Sequence, residues 1–412
     1  MSLHMQNNIL DGGGAYNIQA IRENIFVFFA KKILKKIRTG SVTIVFPSGK
    51  SISSKAQNCE LNAVININNV DAIRRLITAG SIGFAESYML GYWSSPDLAK
   101  LIYISALNGE VLAAKLGGGL QNKLYNYIEH KLRRNSKEGS KNNIQFHYDL
   151  GNSFYKKWLD EKMMYSSGIY HGIHENLEDA QNNKLCRIIN LLEVENQNKV
   201  LEIGCGWGTL SHKLAEKNAF VDGITLSQEQ LIYAQDTIRG SEISSRTMFS
   251  LTDYRDVSEK YDRIVSVEMI EAVGKEYLPL YFQTISRSLK ENGIAVIQAI
   301  SINEKRFDRY NNNPDFIQKY IFPGGFLPTK KMIYEEADKA GLQVSYTEFF
   351  GESYARTLNE WMKRFSMSWN EIQSMGFDIR FKKMWEFYLC YCEGGFKAKS
   401  IDVGLYVLKP KS

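Results

Sequence analysis

Short apolar runs and amphipathic segments alternate in the second half of the chain. The apolar runs that predict strands are KVLEIG, FVDGITLS, YDRIVSVEMI and GIAVIQAIS. Segments with helical periodicity lie between them, namely LSHKLAEKN, QEQLIYAQDTIRG and YLPLYFQTISRSLKENG. Strands separated by helices of this length need right-handed crossovers, so they predict a parallel, doubly wound α/β sheet covered on both faces. Ligands of such sheets bind at the carboxyl ends of the strands.

The first third of the chain has a different pattern. Apolar alternation predicts short strands over residues 43–46 and 63–69, and a helix over DAIRRLITAG that ends at Gly80. The run SSPD at residues 94–97 contains residue types that begin helices, so another helix is predicted after it. These elements indicate a smaller α+β domain.

Residues 131–143, KLRRNSKEGSKNN, are polar and have no periodic apolar pattern, which is typical of a linker. We therefore divide the chain into an amino-terminal domain (1–128), a basic linker (129–144) and a larger domain (145–412). A length of 412 residues suits two domains, because one domain mostly contains about 100–200 residues.

Composition is that of an ordinary globular protein. Hydrophobic residues make up 44% and charged residues 23%, which excludes intrinsic disorder. The five cysteines form no regular framework, and neither a signal peptide nor an apolar stretch of about 20 residues is found. We expect a cytoplasmic protein without a membrane span.

The net charge of +6 is mild, and alone it fits nucleic acid, an anionic membrane or no charged partner. It is concentrated in residues 26–38, where helical periodicity predicts one apolar face of Phe28, Phe29, Ile33, Leu34 and Ile37. The basic residues surround the other face: Lys31, Lys32, Lys35, Lys36 and Arg38. Such a helix suits an anionic lipid surface. The alternative is an ordinary surface helix that docks on its own domain.

A glycine-rich turn follows the first strand of the larger domain. In VLEIGCGWGTL, Glu202 ends the strand, Gly204 and Gly206 permit a tight turn near a ligand, and Gly208 opens the next helix. The spacing differs from the G-x-G-x-x-G of dinucleotide sites. It resembles motif I of class I S-adenosylmethionine-dependent methyltransferases, which implies that Glu202 contributes negative charge near the amino acid portion of this cofactor. A dinucleotide turn and a turn without a ligand are the alternatives.

Longer motifs in a fixed order make the resemblance more specific. They are FHYDLGNSFYKKWLD, MMYSSGIY, GITLSQEQ, SVEMIEAVG, FPGGFLP, YARTLNEW and LCYCEGGF. Together they resemble the cyclopropane-fatty-acyl-phospholipid synthase family, which includes the mycolic acid cyclopropane synthases. The resemblance covers the chain from about His147 to the C-terminus, and GFAESYMLGYWSSPDL is similar to the amino-terminal domain of full-length bacterial members. It implies a Rossmann-like methyltransferase domain.

The resemblance implies a reaction on lipid. A methyl group passes from S-adenosylmethionine to the cis double bond of an unsaturated phospholipid acyl chain, and the resulting cation loses a proton to close a cyclopropane ring. The family uses a bound bicarbonate ion as the base. Water must be excluded from such a site, and aromatic faces stabilise its positive charge. Aromatic residues make up 12% of the chain.

The resemblance also implies roles for individual residues. Those expected at the cofactor are Tyr165, Ser166, Gly204, Gly206, Thr225, Gln230, Asp253 and Tyr254, with Asp253 a partner for the adenine amine. Those expected at the bicarbonate site are Glu271, Tyr354 and the backbone amide of Ile300. Cys392 matches a cysteine proposed as an active-site residue, although a buried cysteine is more often a packing residue.

Three positions depart from the common family pattern. Ser167 replaces a cysteine, Gln298 replaces a histidine and Ala272 replaces a histidine, all beside the expected bicarbonate site. Serine and glutamine can still donate hydrogen bonds to an anion. Proton abstraction is therefore less determined than methyl transfer, and a methyl- or methylene-branched product is an alternative to a ring.

Other candidates receive structural interpretations. His147 is expected to orient the cofactor loop, and His171 with His174 lacks further ligands, so no metal site is expected. Glu268 and Glu271 are one turn apart, but a glycosidase-like pair is not expected in a parallel-sheet protein.

We expect a peripheral enzyme on the inner membrane face that acts on unsaturated acyl chains and does not bind nucleic acid, and a homodimer is a further possibility. A small-molecule methyltransferase and a non-catalytic lipid-binding protein are the alternatives.

Overall fold

The structure is a computed structural model that describes residues 12–54, 60–109, 112, 135–140, 143 and 150–411, with backbone only for residues 12–22. The chain divides into two compact units, Met1–Asn122 and Lys123–Ser412. The roles assigned to the two predicted domains stay predictions. His147 lies outside the described residues.

In its described residues, the first unit combines three helices with a small sheet. Its helices are α1 (Gly12–Leu34), α2 (Asp71–Met89) and α3 (Leu98–Leu107), and its strands are β1 (Ser41–Val45), β2 (Ser51–Ser53), β3 (Asn62–Ile67) and β4 (Trp93–Ser94). The strand order is β2-β1-β3-β4, in which only the β1–β3 pair is parallel. Asp97 begins α3 by accepting a hydrogen bond from the Lys100 amide, as its residue type predicts.

The predicted helix end at Gly80 is a kink within a longer helix. Gly80 has φ 63° and ψ −144°, and the chain resumes helical geometry beyond it up to Met89. This left-handed conformation suits glycine, which lacks the Cβ that would clash there.

Helix α1 does not bury the apolar face that its sequence predicts. The face that packs on the unit consists of Glu23, Val27, Ala30 and Leu34. Ile25, Phe28 and Phe29 retain exposed fractions of 50%, 55% and 38%. The predicted grouping of Phe28 and Phe29 with Leu34 on one face is therefore wrong. The buried stripe consists of residues spaced three or four apart, and both phenylalanine rings lie outside it.

The second unit is a seven-stranded α/β sheet with its helices. Its helices are α4 (Asn152–Tyr155), α5 (Leu177–Leu192), α6 (Thr209–Ala215), α7 (Gln228–Ile238), α8 (Leu278–Ser288), α9 (Glu304–Asn312), α10 (Phe316–Tyr320), α11 (Lys330–Lys339), α12 (Gly351–Met367), α13 (Trp369–Ser374) and α14 (Ile379–Lys397). Its strands are β5 (Lys199–Ile203), β6 (Phe220–Thr225), β7 (Thr247–Leu251), β8 (Tyr261–Val267), β9 (Leu289–Ile302), β10 (Leu342–Phe349) and β11 (Ile401–Pro410). Short 3-10 helices lie at Glu242–Ser245, Tyr254–Asp256, Ile270–Ala272 and Lys275–Tyr277.

The sheet order is β10-β11-β9-β8-β5-β6-β7. The five strands from β9 to β7 are parallel, which confirms the predicted α/β architecture. The sheet is extended by β11, which runs antiparallel to both β9 and β10. Three strands, β7, β10 and β11, were not predicted.

An aromatic cluster joins the segment after residue 150 to the helices near the end of the chain. Its centre is Phe154, whose side chain is fully buried. Ring centroids within 6.4 Å of Phe154 belong to Tyr155, Trp158, Phe365, Phe377, Phe381 and Trp385. This cluster holds α4, α12 and α14 together on one side of the site.

Candidate active site

The glycine turn lies where β5 ends. The amides of Gly204 and Cys205 donate to the Ile224 carbonyl at 2.9 and 3.0 Å, which ties the turn to β6. Gly204, Gly206 and Gly208 have φ values of 79°, 54° and 89°. A Cβ on Gly208 would lie 2.8 Å from Phe249 Cζ, whereas one on Gly206 would meet nothing within 4 Å. Gly206 therefore presents its backbone to open space, which fits the approach of a cofactor.

Glu202 lies beneath this turn and is 3% exposed. It accepts a hydrogen bond from the Ser211 hydroxyl. Burial raises the pKa of Glu202 to about 8, and the charge of Lys184 opposes that rise. The hydrogen bonds from Ser211 oppose the rise more than Lys184 does, and the negative charge predicted for Glu202 stays a prediction.

Lys184, on α5, is a cationic neighbour of Glu202 that the sequence interpretation overlooked. Its side chain is fully buried, and its Nζ donates to Ser166 Oγ at 2.7 Å. Burial lowers the pKa of Lys184 to about 8, while the charges of Glu268, Asp160 and Glu202 raise it. The expected cofactor residue Ser166 is therefore held by a buried ammonium group that also faces three carboxyl groups.

Lys184 could have been found from its spacing. Gln181, Lys184, Leu185, Ile188 and Leu192 form the buried stripe of α5, with the i, i+3, i+4, i+7 pattern of a core-facing helix. A lysine within such a stripe is the signal for a buried charge.

The remaining expected cofactor residues lie at the ends of β6 and β7. Thr225 Oγ1 donates to Gln230 Oε1 at 2.9 Å, and both residues are buried. The Arg255 side chain donates to both oxygens of Asp253, at 2.8 and 2.6 Å. Burial raises the pKa of Asp253, but the hydrogen bonds and charge of Arg255 lower it further, so the net shift is downward. The expected contacts with adenine stay predictions.

Tyr165 and Tyr254 occupy different surroundings. The Tyr165 hydroxyl shares a 2.8 Å hydrogen bond with the Tyr388 hydroxyl, and its ring lies 5.4 Å from Trp361. Tyr254 belongs to the hydrophobic core with Tyr281, and its buried hydroxyl has no partner among the described residues. The structure thus places Tyr165 among the aromatic residues of the site and Tyr254 in the core next to Asp253.

Glu268 forms the centre of the expected anion site. Its Oε1 accepts hydrogen bonds from the Ser167 amide at 2.9 Å and from Gln298 Nε2 at 2.7 Å. Its Oε2 accepts from the Tyr354 hydroxyl at 2.6 Å. Glu268 follows β8 and has φ 48°, a left-handed conformation that is uncommon for a residue with a side chain.

Glu271 lies beside Glu268 in the same turn. Its Oε1 accepts from the Ile300 amide at 2.6 Å, and its buried Oε2 has no partner among the described residues. Burial and the negative charge of Glu268 raise the pKa of Glu271 to about 8. Burial and the neighbouring carboxylate therefore favour the neutral form of Glu271.

These contacts disagree with a bicarbonate ion at this place. The Gln298 amide and the Tyr354 hydroxyl, both expected to face the ion, donate to Glu268, and the Ile300 amide donates to Glu271. The Ser167 hydroxyl donates to the Gly168 carbonyl at 2.8 Å, so the predicted serine-to-anion hydrogen bond is not formed. The residues present do not fit a bicarbonate ion, because the hydrogen-bond donors that the ion would need already donate to Glu268 and Glu271.

Cys392 lies near this group on α14. Burial raises the pKa of the Cys392 thiol, and the charges of Asp315 and Glu268 raise it further. The thiol therefore stays protonated at neutral pH, which favours packing over chemistry.

No group of three or more histidine, cysteine, aspartate or glutamate residues in the described ranges could hold a metal ion. The prediction that the protein needs no metal stays a prediction. None of the helices in the described part of the chain is long and apolar enough to cross a bilayer.

Five parallel strands with a glycine turn after β5 form a Rossmann-like fold, whose ligands bind at the carboxyl ends of the strands. The family model of mycolic acid cyclopropane synthetase matches residues 135–405. The chain belongs to this family, and it is an S-adenosylmethionine-dependent methyltransferase.

Individual relatives agree with this assignment. The chain is 36% identical over 357 residues to cyclopropane-fatty-acyl-phospholipid synthase of Escherichia coli, covering 84% of this chain and 88% of the relative. It is 35% identical over 351 residues to tuberculostearic acid methyltransferase UfaA1 of Mycobacterium tuberculosis, covering 83% and 82%. The crystal structure of mycolic acid cyclopropane synthase CmaA1 with SAH and CTAB superposes with a TM-score of 0.61 at 27% identity, covering 65% and 97%.

Proposed function

We propose that this enzyme methylates the cis double bond of unsaturated phospholipid acyl chains and closes a cyclopropane ring. The observation that carries the proposal is a buried carboxylate, Glu268, held within an aromatic wall. Tyr354 donates to Glu268, stacks on Phe396 at 4.5 Å and lies 6.1 Å from Trp361. A carboxylate among aromatic rings suits a reaction that passes through positive charge and then releases a proton.

The aromatic wall continues toward the glycine turn, because the Tyr155 ring lies 5.5 Å from Tyr165 and 5.3 Å from Trp207 of that turn. Centroid distances are 5.4 Å from Trp361 to Tyr165, 6.4 Å from Tyr165 to Phe322 and 6.1 Å from Phe322 to Tyr388. S-adenosylmethionine, when bound, supplies an electrophilic methyl group. Gly204 and Gly206, with Ser166, Thr225, Gln230 and Asp253, would hold it, while the aromatic residues exclude water that would quench a cation.

A methyl- or methylene-branched product is the second candidate. The match to tuberculostearic acid methyltransferase favours it, since the identity and coverage are close to those of the cyclopropane synthase. Ring closure breaks a C–H bond of the transferred methyl group, and its electron pair bonds to the adjacent cationic carbon. Methylene formation first needs a hydride shift that moves the cation to the methyl-bearing carbon and then loses a proton from the same methyl group, so a base beside that group serves either product.

Incubation with S-adenosylmethionine and vesicles of monounsaturated phospholipid, followed by mass spectrometry of the fatty acids, tests the function. A gain of one CH2 that survives hydrogenation supports the ring. A chain that takes up hydrogen indicates a methylene branch, and an unchanged mass in every lipid tested contradicts both candidates.

We further propose that α1 binds the anionic inner face of the membrane. Ile25, Phe28 and Phe29 are exposed beside Lys31 and Lys32, and the Lys32 Nζ lies 4.3 Å from the Phe28 ring centroid. Exposed aromatic rings among lysines combine burial in the acyl boundary with attraction to lipid phosphates. The proposal also includes a cytoplasmic location, a homodimer and no nucleic acid partner.

The double substitution Phe28→Ala and Phe29→Ala is expected to weaken binding to anionic vesicles about tenfold, equivalent to ~1.4 kcal/mol. The lost contribution is the burial of two rings in the lipid boundary. Vesicle co-sedimentation measures it. Phe220→Ala, which removes a ring that is 46% exposed in the other unit, is the control and should bind as the wild type does. Equal binding by all three proteins would remove α1 from the proposal.

A further inference from the structure

Three hydrogen-bond donors converge on the carboxylate of a single side chain, Glu268. The Ser167 amide and Gln298 Nε2 donate to Glu268 Oε1, and the Tyr354 hydroxyl donates to Oε2, at 2.9, 2.7 and 2.6 Å. They come from the loop before α5, from β9 and from α12, so three separate elements point at one carboxylate. Such convergence is the geometry of a binding site for a planar, singly charged anion.

The backbone shows how the carboxylate reaches this place. Glu268 directly follows β8 with φ 48°, and its amide donates to the Gln298 carbonyl at 2.8 Å. A left-handed conformation is strained for a residue other than glycine, so the contacts of the side chain have to offset this strain. The arrangement maintains the carboxylate inside the donor set.

Glu268 accepts three hydrogen bonds where Glu271 accepts one, although burial still leaves the pKa of Glu268 raised. Burial raises the pKa of Glu268, and the hydrogen bonds from Tyr354, Ser167 and Gln298 and the charge of Lys184 oppose the rise. Glu271 has no donor from the described residues at Oε2, and its pKa is raised to about 8. Glu268 is the better stabilised anion of the two.

We propose that the Glu268 carboxylate is a built-in proton acceptor that takes the place of a bicarbonate ion, so that the enzyme works without bicarbonate. This inference rests on the proposed function. After methyl transfer, a C–H bond of the added methyl group breaks, and its electron pair forms the bond to the cationic carbon. The proton passes to Glu268 Oε2, which gives a neutral acid, and it leaves to water when the product departs.

Two substitutions separate this role from a structural one. Glu268→Gln keeps the size of the side chain and removes its basicity, whereas Glu268→Gly removes the side chain and leaves the three donors facing open space. Loss of a general base lowers turnover by roughly 100- to 10,000-fold, so both variants should fall by at least about 100-fold in product formation. Bicarbonate or formate should partly restore the glycine variant and should not restore the glutamine variant, whose amide still fills the site.

The assays are run in buffer freed of carbon dioxide, with and without added bicarbonate. Wild-type turnover is expected to be the same in both. A wild-type rate that falls without bicarbonate and returns with it would overturn the proposal, as would a glutamine variant with wild-type turnover. Thermal unfolding and S-adenosylmethionine affinity of each variant show whether the fold and the cofactor site are intact.

A second measurement does not depend on catalysis. The NMR line of 13C-labelled bicarbonate should broaden with Glu268→Gly and stay sharp with the wild type. Broadening by the wild type that matches the variant would refute the replacement of the ion. If the wild type modified no lipid, the proposed function would fail, yet this comparison would still decide what occupies the anion site.

Discussion

Replacing Gly206 with valine is expected to lower the affinity for S-adenosylmethionine by at least about 100-fold, equivalent to ~2.7 kcal/mol. Gly206 has φ 54°, and the position of its missing Cβ has no neighbour within 4 Å. The valine side chain would therefore enter space that we assign to the cofactor, rather than clash with the protein. Isothermal titration calorimetry measures the loss.

Gly240 supplies a matched control for the backbone effect. It also has a positive φ, 76°, and open space within 4 Å of its Cβ position, but it lies after α7 on the surface. Gly240→Val should carry a similar left-handed strain, of about 1–2 kcal/mol, with unchanged cofactor affinity. Equal loss of affinity in both variants would mean that strain, and not an occupied cofactor space, explains the result.

Replacing Phe154 with alanine is expected to lower the free energy of unfolding of the second unit by about 3–5 kcal/mol. The side chain is fully buried, and six aromatic rings surround it, so truncation leaves a cavity between α4, α12 and α14. Urea unfolding followed by tryptophan fluorescence measures the change, because Trp158 and Trp385 belong to this cluster.

Phe220 again provides the comparison. It begins β6 with 46% of its surface exposed, and its replacement by alanine should change the free energy of unfolding by less than about 1 kcal/mol. A small effect at Phe154 would show that the aromatic cluster does not hold the helices of the site.

The central strands could be predicted because each contains a short, mostly apolar run between helical segments. β5, β6, β8 and β9 lie in the buried part of the sheet, so their composition alone marks them. Seven of the eight residues of β10 are exposed or half-exposed, so its sequence lacks the apolar composition of the central strands. The antiparallel direction of β11 depends on three helices, α12 to α14, that intervene between β10 and β11, and local pattern does not contain such information.

Site residues that belong to a recognisable motif could be predicted from the sequence. Residues whose role depends on the backbone conformation could not. Tyr354, Gln298 and Ile300 do lie around the predicted anion position. Glu268 was set aside as half of an unsuitable carboxylate pair, since spacing gives no indication that its left-handed backbone turns the carboxylate toward Tyr354. Helical periodicity of residues 26–38 likewise did not show which stripe of α1 its own unit covers.

The position of β11 has a consequence for how the protein folds during synthesis. β9 pairs with β11, for example Ile302 with Ile401, across about one hundred intervening residues. Until residues 401–410 have been made, one edge of β9 has no neighbour, and contacts so distant in sequence form slowly. A nascent chain with an apolar, unpaired strand edge is prone to aggregation, so expression at low temperature or with a chaperone should raise the yield of folded enzyme.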